Sequence, residues 1–255
     1  DEVVAIEPTY DCYLPILRRA GATPKLVRVA PPDWKLPLGE LAAAFSDKTK
    51  LIMINSPMNP ASKVFHEKEL AVIAGLLEKY DAYAICDEVY EHMVYDGRRH
   101  IPLMTLPGMK DRCLRIGSAG KTFSMTGWKV GYTTGPAALI GAAAKAHQFL
   151  TFTTPPNLQV AVACGLGKDD DYFASLGSDM EAKRDRLANG LRDIGFEIMP
   201  SEGTYFLTAD FQAIANRTGF NGDDAAFCKH ITTQAGVAAV PFSAFYQSGE
   251  NSGVN

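Results

Sequence analysis

The six residues Gly117-Ser118-Ala119-Gly120-Lys121-Thr122 follow directly on an apolar run and set a serine, a lysine and two glycines in one turn. Three chemistries use such a turn. Gly120-Lys121-Thr122 matches the end of a phosphate-cradling P-loop, and the apolar run ending in Asp87-Glu88 has the form of a magnesium-binding strand end. The full pattern needs a glycine five residues before Gly120, where this chain has Arg115. The carboxylate strand also precedes the lysine loop, against the usual order, so this chemistry is excluded. Ser118-x-x-Lys121 has the spacing of the serine nucleophile and lysine of a penicillin-binding enzyme. Neither Ser-Asp-Asn nor Lys-Thr-Gly follows it, which excludes that chemistry too.

The third chemistry makes Lys121 an amine that forms a Schiff base with pyridoxal 5'-phosphate. Such a lysine needs a carboxylate for the pyridine nitrogen, a hydroxyl near the ring oxygen, and cations near the phosphate. Asp87, Tyr90, Ser118 and Lys129 are residues of these types. Each lies at the end of a strand-like run or in a loop, where α/β sheets hold their ligands. Singly, each has a plainer reading: Asp-Glu closes many strands, a lysine in a Gly/Ser loop is usually a surface lysine, and Asn-Pro is usually a turn.

The elements that must position these residues read as alternating strands and helices. Apolar β-type runs occur at 3–6, 25–29, 51–55, 83–86, 113–116 and 130–133. Helical patterns at 10–19, 38–45 and 67–79 separate the first of them, with Leu70, Ile73, Ala74 and Leu77 on one helix face. This alternation predicts an α/β fold, a mainly parallel sheet with helices on both faces. After Pro136 the pattern predicts helices at 137–149, 158–166 and 172–194, strands at 196–199 and 204–209, a helix at 223–235 and a strand at 237–240. A boundary near residue 190 divides a large domain, 1–190, from part of a smaller α+β domain, 191–255.

Composition narrows the function classes. The 255 residues carry 25 basic and 29 acidic side chains, a net charge of −4, and 47% are hydrophobic against 21% charged. That is globular usage, neither disordered nor fibrous. With no basic block, nucleic acid and anionic membranes are not expected partners. No apolar run approaches the roughly 20 residues of a membrane span, and no secretory leader is visible. Five scattered cysteines without a Cys-x-x-Cys pair predict reduced thiols and a cytoplasmic protein. Five histidines without ligand spacing predict no metal site. The opening on Asp1-Glu2-Val3 and the polar end at Asn255 predict a piece of a longer chain.

Three blocks carry the strongest signal together: Ile54-Asn55-Ser56-Pro57-Met58-Asn59-Pro60, then Cys86-Asp87-Glu88-Val89-Tyr90, then the run from Ser118 through Lys121 and Trp128-Lys129 to Tyr132. In content and spacing they resemble the signature blocks of the class I/II pyridoxal-phosphate-dependent aminotransferases of fold type I. The closest likeness is to the kynurenine aminotransferase, glutamine transaminase K and methionine aminotransferase group. Glu7-Pro8-Thr9-Tyr10-Asp11-Cys12-Tyr13 and Gly203-Thr204-Tyr205-Phe206-Leu207 extend the resemblance over nearly the whole chain.

The resemblance implies a role for each matching residue. Lys121 would hold the cofactor aldehyde, Asp87 would pair with the pyridine nitrogen, and Tyr90 and Asn59 would hydrogen-bond the ring oxygen. Ser118 and Lys129 would hold the phosphate, Lys129 as a point charge where many relatives carry arginine. Tyr10 would stack on the ring. It further implies a homodimer and ping-pong transfer of an amino group between an amino acid and a 2-oxo acid. The alternatives are carbon–sulfur β-elimination on the same cofactor and a truncated, non-catalytic relative. The sequence departs from the family at Ala61-Ser62, where relatives commonly carry glycine at the position of Ser62. The closing arm and small-residue phosphate loop are expected before Asp1, and the carboxylate-clamping arginine beyond Asn255. Arg184, Arg186 and Arg192 read as a solvated helix face, Phe123 and Trp128 as packing for the lysine loop, and Phe245-Tyr246 as candidate pocket lining.

Overall fold

Alternate residues of strand β1 (Glu2–Glu7) serve opposite faces of a sheet. Val3 and Ala5 meet Leu14 and Leu17 of helix α1 (Tyr13–Arg19) on one face. Val4 and Ile6 join Leu41 of α2 (Leu38–Ala44) and Leu70, Ile73 and Leu77 of α3 (Glu67–Lys79) on the other. A strand covered on both sides has no polar face, hence the unbroken apolar run in the sequence. In this computed structural model, which describes residues 1–247, β1 lies parallel to β2 (Thr23–Arg28) and β3 (Thr49–Asn55). Beyond β3 follow β4 (Tyr83–Asp87) and β5 (Cys113–Ser118), also parallel, and then the antiparallel β6 (Gly131–Thr134). The order is β2-β1-β3-β4-β5-β6. A mainly parallel sheet with helices on both faces is the expected fold class.

The single-turn helix α4 (Ala119–Thr122) follows β5 without a break. Helices α5 (Ala137–Leu150), α6 (Pro156–Leu166) and α7 (Asp170–Asp193) come after β6. None of the residues of α5 is buried, and Val162 is the one buried residue of α6. Next come the two-stranded pair β7 (Glu197–Ile198) and β8 (Ala209–Asp210), then α8 (Gln212–Thr218) and α9 (Asp224–Ala235). Phe211 and Phe227 stack here at 4.0 Å.

Several expectations need correction. The strand expected at 204–209 is reduced to Ala209–Asp210, because Thr204 has a φ of +66° and turns the chain out of extended geometry. Among the described residues, 237–240 form no strand, and Val237 and Val240 are exposed. Arg184 is no solvated helix residue. Its guanidinium holds both oxygens of Asp96 at 2.8 and 2.9 Å and the Ser201 carbonyl at 2.8 Å, tying α7 to two loops. Trp128 is exposed, whereas Phe123 packs against Ala119 and Val130 of the lysine loop, as expected, and also stacks on Tyr172. Tyr246 is buried in the main core against Phe242, with Arg28 over its ring. The polar end of the chain, residues 248–255, lies outside the described residues.

Candidate active site

Five parallel strands bring their carboxyl ends to one edge of the sheet, the edge at which such sheets bind ligands. Asp87 is the last residue of β4 and Ser118 the last of β5. Asn59 lies in the loop that leaves β3, and Tyr10 in the segment that leaves β1. The strand ends are cross-tied. Asn55 Nδ2 donates to the Asp87 carbonyl at 2.9 Å, the Ser56 N–H donates to the same oxygen at 3.0 Å, and the Asn59 N–H donates to Asn55 Oδ1 at 2.6 Å. Asn55 thereby fixes the Asn59 turn against the Asp87 strand.

The Asp87 carboxylate accepts the Tyr13 hydroxyl on Oδ2 and the Val89 N–H on Oδ1 at 3.3 Å. Burial pushes its carboxyl above the ordinary carboxylate range. The Tyr13 bond, the Val89 N–H and the Lys121 charge oppose that rise. Lys121 sits on α4, where its Nζ donates to Tyr205 Oη at 2.7 Å and lies 5.5 Å from the Tyr90 ring centroid and 5.3 Å from that of Tyr205. Tyr90 Oη is 3.5 Å from Tyr205 Oη. Burial, then its bond to Tyr205, raises the Tyr90 phenol well above its ordinary value, so it stays neutral and available as a donor.

Gly120 lets the lysine turn close: a Cβ there would lie 3.0 Å from Thr126 Cα, where the following loop folds back. That loop ends at Lys129, exposed and left-handed at a φ of +55°. Among the described residues, no hydrogen bond links Ser118 or Lys129 to Asp87, Lys121 or Tyr90. Tyr10 is 40% exposed and meets Tyr13 edge-on at 5.6 Å. The geometry thus joins Lys121, Tyr90, Asp87 and, through Asn55, Asn59, and leaves Ser118, Lys129 and Tyr10 around them.

Two tyrosines that the sequence did not single out belong to this cluster. Tyr13 and Tyr205 stand in the strings around Asp11-Cys12 and Gly203-Thr204 that carry the family resemblance, which was their one signal. Tyr205 is delivered by a loop stitched to the sheet side. The N–H groups of Glu202 and Gly203 donate to the Ser62 carbonyl at 2.8 and 3.1 Å, and the Thr204 N–H to the Met93 carbonyl at 2.9 Å. Ser62 Oγ is 2.9 Å from both Thr204 Oγ1 and the Phe206 carbonyl, and the Tyr95 hydroxyl donates to the Thr204 carbonyl.

The family model for aminotransferase class I and II matches residues 1–253. The chain belongs to the class I and II aminotransferases. A kynurenine–oxoglutarate transaminase of Dictyostelium discoideum is 41% identical over 96% of this chain and 63% of its own length. The methionine aminotransferase of Escherichia coli is 36% identical over 96% of this chain and 62% of its own. Among solved structures, N-succinyldiaminopimelate aminotransferase from Mycobacterium tuberculosis superposes with a TM-score of 0.92 at 41% identity, over 97% of this aminotransferase chain and 64% of that one. The fold is therefore fold type I, and the chain spans about three fifths of the length of these relatives. Among the described residues no helix is long and apolar enough to cross a membrane, and no cluster of three or more His, Cys, Asp or Glu side chains could hold a metal.

Proposed function

We propose that the protein is a pyridoxal-phosphate-dependent aminotransferase. It moves the amino group of an aromatic, kynurenine-like, glutamine or methionine donor to a 2-oxo acid by ping-pong kinetics. The observation that carries this reading is the Lys121 amine held beside two phenols, Tyr90 and Tyr205, and near the partly buried carboxylate of Asp87. An amine, a partly buried carboxylate and phenols at one sheet edge are the donor set that a pyridine aldehyde needs. Lys121 would hold the carbonyl carbon, Asp87 the ring nitrogen, Tyr90 and Asn59 the ring oxygen, Ser118 and Lys129 the phosphate, and Tyr10 the ring face. When bound, the cofactor supplies an electron sink for charge developing at the substrate Cα.

The protein's own part is proton transfer and charge placement. Lys121 Nζ takes the proton from the substrate Cα once the amine is free, Tyr205 Oη holds that Nζ in place, and Tyr90 donates from a hydroxyl that burial keeps protonated. Asp87 holds positive charge at the ring nitrogen. The reading includes a large domain at 1–190 and part of a small one at 191–255. In support, the six-stranded sheet falls within the first range and the β7–β8 pair within the second. It also includes a cytoplasmic homodimer.

The test is product formation. The chain, incubated with the cofactor, kynurenine or methionine, and 2-oxoglutarate, should yield glutamate and the matching oxo acid by chromatography, and Lys121→Ala should yield none. Release of pyruvate and ammonia from a cysteine S-conjugate, with no transamination of any donor, would overturn it.

A further inference from the structure

Asp87 is set at the end of β4 with burial working against its charge, and among the described residues two protein donors reach its carboxylate. One is the N–H of Val89, only two residues along and 3.3 Å away, which comes with the local turn. The other is the hydroxyl of Tyr13, delivered from the first residue of α1, 74 residues earlier in the chain. The Tyr13 side chain is buried, so its hydroxyl has no alternative partner in bulk water. Tyr10 packs edge-on against its ring at 5.6 Å. A carboxylate offers about four lone-pair positions, so these two bonds leave each oxygen able to accept a further donor.

We propose that Tyr13 is a positioning residue for the cofactor site: its hydroxyl fixes the Asp87 carboxylate in its ionised form and sets the direction in which it meets a ring nitrogen. This rests on the pyridoxal-phosphate reading above for the identity of the ligand, though not for the effect on Asp87 itself. The physical basis is that a donor to the charged form of an acid favours that form, most strongly where water is excluded. The other charged or titratable groups that face Asp87 are Lys121 on α4, Glu88 beside it on the chain, and Tyr10, Cys12 and Tyr90 around it. Of these, only Lys121 favours its ionisation, and Tyr205 takes part of that amine's hydrogen bonding.

The experiment compares the wild-type chain with Tyr13→Phe in two measurements. Carbon-13 NMR titration of the Asp87 carboxyl in the cofactor-free protein should show the variant titrating at higher pH. Dissociation constants should then be measured for pyridoxal 5'-phosphate and for the analogue in which a carbon replaces the ring nitrogen. The variant should bind the cofactor about tenfold more weakly, one charge-assisted hydrogen bond's worth. It should bind the carbon analogue within about twofold of wild type, since nothing there answers to Asp87. An unchanged Asp87 titration, or equal weakening for both ligands, would overturn the proposal and leave Tyr13 as packing. If wild type takes up no cofactor, the aminotransferase reading fails, while the NMR titration still decides what Tyr13 does to Asp87.

Discussion

Ser62 lies buried beneath the loop that carries Tyr205, and its substitution isolates that loop. The side chain is 1% exposed, and its Oγ lies 2.9 Å from Thr204 Oγ1 and 2.9 Å from the Phe206 carbonyl. Ser62→Ala removes both contacts. Phe206 O keeps a longer bond from Ser201 Oγ at 3.3 Å, and Thr204 Oγ1 keeps the Phe206 N–H at 3.0 Å, so neither group is fully stranded. At about 1 kcal/mol per buried hydrogen bond, the loss is about 2 kcal/mol. For a chain of this size that lowers the thermal midpoint by about 4–8 °C. Ser62→Gly loses the same hydroxyl but relieves a left-handed φ of +56°. Set against its larger unfolded-state entropy, that should recover about 0.5–1 kcal/mol relative to alanine. Urea denaturation of the three proteins, with equal slopes, gives the order wild type, glycine, alanine. Because the Ser62 carbonyl still holds Glu202 and Gly203, the loop stays docked and proteolysis at 201–206 should rise only modestly. A glycine variant less stable than the alanine one, or an alanine variant within about 0.3 kcal/mol of wild type, would mean that the Ser62 hydroxyl and its backbone angle do not set the stability of this loop.

Further predictions concern the site and its supports. Glu88 is 2% exposed and lies 2.5 Å from Arg115 Nε and 3.0 Å from His100 Nε2. Glu88→Gln should therefore cost about 1–2 kcal/mol in urea melts, because one charge-assisted hydrogen bond weakens while Arg115, partly exposed, keeps its ion pair with Glu91. Because burial raises the Asp87 carboxyl, the stability tied to its protonated form is full below the ordinary carboxylate range and is lost as pH rises through the raised value. Cofactor-free Asp87→Asn should accordingly gain on wild type in thermal midpoint between pH 4 and pH 7, roughly the interval above an unperturbed Asp, while cofactor affinity falls. Equal midpoints across that interval would contradict it. Tyr205→Phe removes the acceptor of the Lys121 amine and should slow cofactor attachment at Lys121 about tenfold in stopped-flow absorbance, at the scale of one hydrogen bond to a charged group.

The sheet was legible because parallel strands buried on both faces leave unbroken apolar runs, and the helix face of Leu70, Ile73 and Leu77 because packing against such a sheet imposes a 3.6-residue period. Lys121, Asp87 and Tyr90 were legible because fixed local geometry after β4 and β5 keeps them in short blocks. What stayed hidden depends on contacts between distant segments. Tyr205 reaches Lys121 across 84 positions, and Arg184 reaches Asp96 across 88, although local periodicity puts that arginine on a solvated face. The positive φ of Thr204 falls at the start of a run whose composition favours a strand. Helix α8 buries Ala215 as its one fully covered residue, so no apolar stripe marks it in the sequence.

The most direct measurement is borohydride reduction of the purified chain with added pyridoxal 5'-phosphate, followed by peptide mass mapping. A pyridoxyl adduct confined to Lys121 and lost in Lys121→Ala is expected. Adducts spread over surface lysines, with none on Lys121, would contradict it.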